Sequence, residues 1–338
     1  MKTKQIVFTK AYTAELLEVD CLEPKAGEVT VRLEYSAISS GTEKANYIGE
    51  RASIFDAEDA EAVFPRAVGY SAAGVVVEVG EGVGSVKAGD RVIVYWGKHK
   101  KLITISEKNV LKIPDEVPLA EASMALISTF PLAAVRKTKI EIGESALVMG
   151  LGILGMFAVQ QFRTAGAYPV IAVDPIAERR EMALKLGADY AIDPTVEGFA
   201  DKVKELTGGV NACVEATGLG IGLIQALDCM KKMGRIALLG CTRNSNFSID
   251  YYSKVHGKGV SLIGAHTLAR PKFESSPGLW TDIDDLKATA ALIKGGRLNF
   301  KDMICEYVSP ADCQAVYDRL VNDKKFPIGV LFDWSLVD

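Results

Sequence analysis

A glycine-rich turn near the middle of the chain has the residues and spacing of a phosphate-binding loop. Gly150, Gly152 and Gly155 spell G-x-G-x-x-G directly after the apolar run ALVM and at the start of an apolar, helix-length segment. In such a loop the first glycine permits a tight turn, the second lets the backbone approach a pyrophosphate, and the third allows close helix packing. The helix amino end offers free N–H groups to the anion, so Ile153 and Leu154 are also predicted cofactor contacts.

An acidic residue, Asp174, ends the next apolar run, PVIAVD. A carboxylate at that position can accept hydrogen bonds from both hydroxyls of an adenosine ribose and would repel a 2′-phosphate. The sequence therefore predicts NAD as the cofactor and disfavours NADP. Arg179 and Arg180 follow shortly after and weaken that preference, because guanidinium groups bind phosphate well. Arg179 is included among the predicted cofactor contacts.

The elements that must position these residues fall into two regions. From about residue 145 to 265, apolar runs of strand length alternate with helix-length segments, which is typical of a doubly wound parallel sheet. Residues 1 to about 125 contain short β-branched or alternating runs separated by Gly, Pro and Asp, which favours a barrel or sandwich. A loop-like stretch, two helical stretches and a last strand, IGVLFDW, follow His266. The predicted fold class is α/β, with a second, β-rich domain.

The chain resembles the medium-chain dehydrogenase/reductase superfamily from end to end. The segments that carry the resemblance are, in order, GYSAAGVVVEVGEGV, VKAGDRVIV, STFPLAAVRK, VMGLGILG, DPIAERREMALKLGADYAID, VEATG and GRIALLG. The resemblance implies a chaperonin-10-like (GroES-like) catalytic domain of residues 1–126 and 266–338 around a Rossmann domain of residues 127–265. It also implies cofactor contacts from Thr129, Thr217 and Cys241, and a homodimer or homotetramer.

The three positions at which zinc members of this family hold their catalytic metal carry other residues. Ser40 begins the motif SGTE, Tyr70 lies in GYS, and the third position falls near Ala125. A hydroxyl, a phenol and a methyl group cannot assemble a catalytic zinc site, whose usual ligands are Cys, His and carboxylate. The family's four-cysteine structural lobe is also missing, because Trp96 runs through GKHKK directly into KLITISEKN. We therefore predict that the protein belongs to a metal-free branch of this superfamily, without the catalytic or the structural zinc.

Chemistry without a metal needs hydrogen-bond donors at the substrate oxygen and a side chain that moves a proton. Tyr70 is the predicted acid or base, with a bulky plug in place of zinc as the alternative. Ser40 and Thr42, with Ser39 beside them, are predicted to form the proton path, or else to cap local backbone. His266 follows the last Rossmann strand, where it would either take part in proton transfer or substrate binding or be structural.

Several other side chains near these motifs can be assigned roles. Tyr95 and Trp96 resemble the aromatic wall of the family's substrate pocket. Glu43 follows the hydroxyl-bearing residues and is expected to orient a neighbour or to face solvent. His99 lies in the basic stretch KHKK, which favours a solvated face, and His256 is expected at the surface.

Three functions remain open at this point. The first is a zinc-independent, NAD(H)-dependent oxidoreductase that transfers hydride between nicotinamide and a hydroxyl or carbonyl substrate, with sugars, cyclitols and other polyols as the leading class. The second is a quinone or activated-alkene reductase, although such enzymes usually prefer NADPH, which Asp174 disfavours. The third is a catalytically silent protein that senses NAD(H).

Composition excludes other classes. The 338 residues are 49% hydrophobic and 24% charged, as in ordinary soluble globular proteins. With 39 basic and 43 acidic residues the net charge is -4, which argues against nucleic acid as a partner and leaves a small-molecule substrate. No run approaches the roughly 18 apolar residues of a membrane span, and the amino terminus lacks the apolar core of a signal peptide. We expect a cytoplasmic protein with no membrane partner, and six scattered, reduced and mostly buried cysteines.

Overall fold

The computed structural model describes residues 1–50, 63–242 and 245–338, which form two compact units. The first unit comprises Met1–Leu126 and Phe300–Asp338, and the second comprises Ile127–Asn299. The chain therefore returns to the first unit at Phe300, and not at residue 266 as predicted. Residues 266–299 stay with the second unit because their polar groups are bound there. Arg136 donates to Asp285 at 2.9 Å, and the Asn299 N–H donates to Gln160 Oε1 at 2.7 Å.

The strands, in chain order, are β1 (Lys2–Lys10), β2 (Thr13–Asp20), β3 (Glu28–Ala37), β4 (Arg66–Ala67), β5 (Ser71–Val79), β6 (Arg91–Tyr95), β7 (Leu102–Ser106), β8 (Val110–Lys112), β9 (Ala146–Met149), β10 (Val170–Val173), β11 (Tyr190–Ile192), β12 (Val210–Glu215), β13 (Met230–Leu238), β14 (Ser261–Gly264), β15 (Ile304–Val308) and β16 (Gly329–Asp333).

The α-helices are α1 (Ser40–Ile48), α2 (Leu119–Ala122), α3 (Ala125–Lys137), α4 (Ile153–Thr164), α5 (Ala177–Lys185), α6 (Phe199–Thr207), α7 (Gly220–Cys229), α8 (Asp282–Lys294) and α9 (Cys313–Asn322). Within the part of the chain that the structure describes, no helix is both long enough and apolar enough to cross a membrane.

The first unit is built from two sheets with the orders β15-β16-β3-β5-β6-β8 and β2-β1-β4, and β7 pairs with β3. Among the described residues of this unit, every strand pair is antiparallel except β15 with β16. Alternate residues of β3, such as Val29, Val31 and Leu33, enter one apolar core, as the two-residue period of a strand requires. Phe332 and Trp334, near the carboxyl end of the chain, lie in the same core.

The second unit contains one parallel sheet with the order β11-β10-β9-β12-β13-β14. Strands β9 and β10 are short, fully apolar and buried, as expected where helices cover both faces of a parallel sheet. The strand order reverses between β9 and β12, and ligands of doubly wound sheets bind at the carboxyl ends of the strands at such a point. The α/β prediction is confirmed. Helix α7 ends at Cys229, earlier than its apolar pattern suggests, because Met230 already pairs with Val210 in the sheet.

All six cysteines are free thiols. Four of them are buried, and Cys241 and Cys305 are exposed. The expectation of mostly buried thiols agrees with this distribution.

Candidate functional site

The three glycines of the loop after β9 have three different surroundings. Gly150 has a φ of +91°, which favours glycine, and a Cβ there would lie 2.8 Å from Thr217 Cγ2. A Cβ on Gly155 would lie 1.8 Å from the Gly150 carbonyl oxygen, so the first turn of α4 packs directly on the loop. A Cβ on Gly152 would meet no other described heavy atom within 4 Å. Gly152 therefore borders open space, as a backbone that approaches a pyrophosphate must.

The amino end of α4 fits an anion. Gly152 is the N-cap residue and has no side chain to occupy the first-turn N–H groups, which belong to Ile153, Leu154 and Gly155. The Ile153 side chain is buried and that of Leu154 is half-buried. Both residues would therefore contact a phosphate through the backbone, and the helix dipole favours negative charge there. The residues present fit a dinucleotide.

Asp174 is buried beside this loop at the end of β10. Its two carboxylate oxygens accept the N–H groups of Leu151 and Ile176, each at 2.9 Å. Arg180 donates to the Asp174 carbonyl at 2.7 Å and also pairs with a second acid, whereas Arg179 lies 3.7 Å from Asp174 Oδ2. The carboxylate is thus held rigidly at the loop, and Arg179 is the cation nearest to it.

Glu215, which sequence reasoning missed, organises the neighbouring loop. It ends β12, and its carboxylate accepts the N–H groups of Thr217 at 2.8 Å and Gly218 at 3.2 Å, as well as the Thr217 hydroxyl. Its backbone carbonyl accepts the N–H groups of Leu239 and Gly240 from the turn after β13. Burial raises the pKa of this carboxyl above its usual value. An acid that ends the strand next to the glycine loop was the signal available in the sequence.

Thr217 and Cys241 lie near the glycine loop, in the turns that follow β12 and β13. Thr217 is the residue that a Cβ on Gly150 would strike, and a Cβ on Gly218 would lie 2.7 Å from the Cys241 carbonyl oxygen. The Cys241 side chain is exposed. The structure therefore places Thr217 against Gly150, and Cys241 against Gly218 in the neighbouring turn.

Thr129 is fully buried on α3, where it anchors the segment that follows β14. Its carbonyl accepts a hydrogen bond from Arg270 Nη2 at 3.1 Å. Lys137, at the end of the same helix, donates to the carbonyls of Gly264 at 2.8 Å and Ala269 at 2.5 Å. Two cations of the second unit thus hold the segment that contains His266 against α3.

His266 is held as a hydrogen-bond donor. Its Nδ1 accepts the Leu268 N–H at 3.2 Å, so the ring proton of the neutral form lies on Nε2. Burial lowers the pKa of His266 below its usual value, which keeps the imidazole neutral at pH 7. The Nε2–H group can donate to an oxygen, and protonation of the ring needs a lower pH.

In the first unit, Tyr70 forms a hydrogen-bonded pair with Ser39. The half-buried phenol donates to Ser39 Oγ, and its ring lies 5.7 Å from the ring of Trp96, at an angle of 32°. Sequence reasoning chose Ser40 and Thr42 for the proton path, but the structure brings Ser39 to the phenol. Ser40 is half-buried and Thr42 is exposed, because they occupy the first turn of α1 and point in different directions from Ser39.

The two aromatic residues predicted for a substrate pocket have different surroundings. Trp96 is 38% exposed and follows β6 with a φ of +57°. Tyr95, the last residue of β6, is buried, and its hydroxyl donates to the Lys108 carbonyl. Tyr95 is thus a buried residue whose hydroxyl is already bound, and its assignment to a substrate pocket stays a prediction.

The prediction that His99 lies on a solvated face is wrong. The side chain is 0% exposed, and its ring nitrogens lie 2.7 Å from Ser36 Oγ and 3.1 Å from Glu43 Oε2. Glu43 is also buried, so of its two predicted roles the structure favours the orientation of a neighbour. His256 is exposed, as expected, and stacks on Tyr252.

The residues that the resemblance places at the family's three metal positions do not fit a catalytic zinc ion. Ser40, Tyr70 and Ala125 offer a hydroxyl, a phenol and a methyl group. Among the residues that the structure describes, no group of three His, Cys, Asp or Glu side chains is arranged to hold a metal ion.

Comparison with known proteins matches both units. The family described as alcohol dehydrogenase GroES-like domain matches residues 25–115, and the family described as zinc-binding dehydrogenase matches residues 154–279. The second match lies outside all three metal positions. The chain belongs to the medium-chain dehydrogenase/reductase superfamily and is an enzyme, an oxidoreductase of the alcohol dehydrogenase type.

Three similar proteins are dehydrogenases, and the similarity covers nearly the whole of each chain. The L-threonine 3-dehydrogenase of Pyrococcus abyssi is 29% identical over 90% of this chain and 89% of its own length. The D-guloside 3-dehydrogenase of Escherichia coli strain K12 is 25% identical over 97% of this chain and 100% of its own. The crystal structure of an alcohol dehydrogenase from Escherichia coli CFT073 in complex with NADH has the same fold, with a TM-score of 0.83, 22% identity, and coverage of 98% and 99% of the two chains.

Proposed function

We propose that the protein is a zinc-independent, NAD(H)-dependent oxidoreductase that interconverts a hydroxyl and a carbonyl group on a small polyol, sugar or cyclitol. The observation that carries this proposal is the hydrogen bond from Tyr70 to Ser39. The resemblance places Tyr70 at a position where zinc members of the family hold their metal. We also propose, from the resemblance, a cytoplasmic homodimer or homotetramer whose catalytic domain includes the first unit.

The cofactor assignment rests on the second unit. The open space at Gly152, the amino end of α4 and the Asp174 carboxylate are suited to a pyrophosphate and an unphosphorylated ribose. When bound, the nicotinamide would accept or supply the hydride. Thr129, Thr217 and Cys241 are the further residues assigned to cofactor contact.

The chain's own residues would handle the proton. The Tyr70 hydroxyl would donate to the substrate oxygen during reduction and accept from it during oxidation. The Ser39 hydroxyl can accept a hydrogen bond from the phenol or donate its own proton to the phenolate. It would therefore stabilise both the protonated and the deprotonated form of Tyr70. The Nε2–H group of His266 would serve as a second donor to an oxygen, and Ser40 and Thr42 remain proposed members of the path to solvent.

The substrate class is supported by the names of the similar dehydrogenases, which designate threonine and a guloside, two small molecules that carry hydroxyl groups. The exposed Trp96 ring beside Tyr70 adds an apolar face of the kind that packs against the C–H groups of a polyol.

A substrate panel tests the proposal. We expect that polyols, sugars or cyclitols reduce NAD, that the rate is unchanged after treatment with a chelator, and that the purified protein holds no stoichiometric zinc. The measurements are nicotinamide absorbance and elemental analysis. Turnover of enones or quinones alone would replace the proposal by an alkene reductase, and tight NAD binding without any turnover would replace it by a sensor.

Cofactor preference is a separate expected result. NAD(H) should bind at least tenfold more tightly than NADP(H), a difference of about 1.4 kcal/mol, because the buried Asp174 carboxylate repels a phosphate. Asp174→Ser should narrow that gap, since the charge is lost while Arg179 remains nearby. Calorimetry with both cofactors measures it, and Asp201→Ser on the exposed face of α6 serves as the control. Equal affinities in the unmodified protein would contradict the assignment.

A further inference from the structure

A buried chain of hydrogen bonds in the first unit connects the segments that carry Tyr70 and Ser39. Every member of this chain is at most 1% exposed. Its members are Glu43, His99, Ser36, Trp334 and Tyr317. We propose that the Glu43–His99 pair is a positioning device for the Tyr70–Ser39 pair, an inference that rests on the proposed function.

Glu43 binds one group at the start of its own helix and two groups from distant parts of the unit. Oε1 accepts the Ser39 N–H at 2.8 Å, and Oε2 accepts the Tyr317 hydroxyl at 2.6 Å and lies 3.1 Å from His99 Nε2. Burial and the neighbouring Glu43 charge hold the pKa of Tyr317 well above its usual value, so the phenol remains a donor. A carboxylate buried without such donors would be costly. Glu43 is therefore satisfied only when all three segments are in place.

The proton positions of the chain follow from its donors and acceptors. Ser36 Oγ accepts the Trp334 Nε1–H at 2.9 Å and lies 2.7 Å from His99 Nδ1. In the arrangement that pairs the Ser36 hydroxyl proton with Nδ1, the ring proton lies on Nε2 and faces Glu43. Each of these polar atoms has a partner in this arrangement. Loss of any member leaves a buried group unsatisfied.

His99 holds the backbone immediately before Tyr70. The backbone N–H of His99 donates to the Val68 carbonyl at 2.7 Å. Gly69 has a φ of +88°, and a Cβ there would lie 2.6 Å from His99 Cγ. The imidazole ring therefore packs against the Gly69 backbone, and its position sets where the Tyr70 side chain begins.

Glu43 holds the other partner. Ser39 is the N-cap residue of α1, but its side chain makes no capping hydrogen bond. The Glu43 carboxylate binds the Ser39 N–H, and Ser39 Oγ accepts the Tyr70 phenol. The Glu43–His99 pair thus fixes the backbones of both the donor and the acceptor of the proton-transfer pair.

A buried carboxylate and its hydrogen-bond donors are a poor source of stability, since well-packed apolar residues often serve a core equally well. A misplacement of about 1 Å in a reacting group can cost about 100-fold in rate. We therefore expect that the Glu43–His99 pair acts on turnover by holding the Tyr70 hydroxyl in its position.

A double-mutant cycle tests the inference. His99→Gln should lower turnover by about tenfold or more, with the dissociation constant of NAD(H) within about twofold of the wild-type value. In a Tyr70→Phe background the same substitution should change turnover by less than about twofold, because the hydroxyl that it positions is gone. An equal loss in both backgrounds would overturn the inference and leave a purely structural role.

Two further variants keep the test interpretable. If His99→Gln fails to fold, Ser36→Ala provides the same test. It removes the partner of His99 Nδ1 and should lower turnover in the same way, but by a smaller factor. Tyr47→Phe is the matched control. Tyr47 is buried on α1, and its hydroxyl lies 2.9 Å from the Tyr12 carbonyl and 2.7 Å from Asp318 Oδ1, outside the Glu43–His99 chain. Its turnover should remain that of the wild type.

A readout independent of activity separates this inference from the proposed function. With 3-fluorotyrosine incorporated at position 70, we expect one sharp ¹⁹F resonance in the wild type and in Tyr47→Phe, and a shifted or broadened one in His99→Gln. An unchanged resonance in His99→Gln would overturn the positioning role. Wild-type turnover in Tyr70→Phe would instead overturn the proposed role of Tyr70 in proton transfer.

Discussion

Gly152→Val is expected to lower the affinity for NAD(H) by at least about 100-fold, or about 2.7 kcal/mol, while the protein remains folded. The backbone at Gly152 has a φ of -70°, which any residue adopts, and a Cβ there would meet no other described heavy atom within 4 Å. The apoprotein therefore has room for the valine. The bound pyrophosphate would need the same space, because it approaches the backbone at this glycine.

The comparison of unfolding temperature with affinity decides this prediction. Calorimetry should give the loss of NAD(H) binding, and thermal unfolding without cofactor should be unchanged. Gly84→Val is the matched control, since a Cβ at Gly84 also meets open space but lies in the first unit. Gly155→Ala should behave oppositely and destabilise the fold, because its Cβ would lie 1.8 Å from the Gly150 carbonyl oxygen. Wild-type affinity in Gly152→Val would mean that the cofactor binds elsewhere.

Tyr70→Phe should lower turnover by roughly 100-fold or more, the scale of a lost acid, base or oxyanion donor. The substitution keeps the ring and its 5.7 Å approach to Trp96, and removes only the hydroxyl that donates to Ser39. Binding of NAD(H) is assigned to the second unit and should not change. Steady-state kinetics with the substrate found by the panel, together with cofactor calorimetry, measures both quantities.

A second variant and a contradicting result make the Tyr70→Phe experiment interpretable. Ser39→Ala leaves the phenol in place and removes its partner, so a smaller loss than in Tyr70→Phe is expected. Turnover at the wild-type level in Tyr70→Phe would make the ring a plug, and proton transfer would pass to His266 or to water. Loss of folding is not expected, because the tyrosine is half-buried and the phenylalanine ring has the same shape.

Residue order alone predicted the parallel sheet of the second unit and its glycine-rich loop. Fully buried parallel strands appear as short continuous apolar runs, and glycines at turns and close contacts are local steric requirements. Gly150, Gly155 and Asp174 could therefore be located before any coordinates. The superfamily was also recognisable, because its motifs follow each other in order along the chain.

Tertiary structure alone decided which side chains meet. The identity of the Tyr70 partner depended on direction at the start of α1, where successive residues are rotated by about 100°, so that Ser39 rather than Ser40 faces the phenol. The lysines around His99 suggested solvent, but the burial of this residue is determined by Ser36 and Glu43, which lie 63 and 56 residues away in sequence. A hydrogen bond between such distant residues leaves no local pattern, and only the folded chain reveals it.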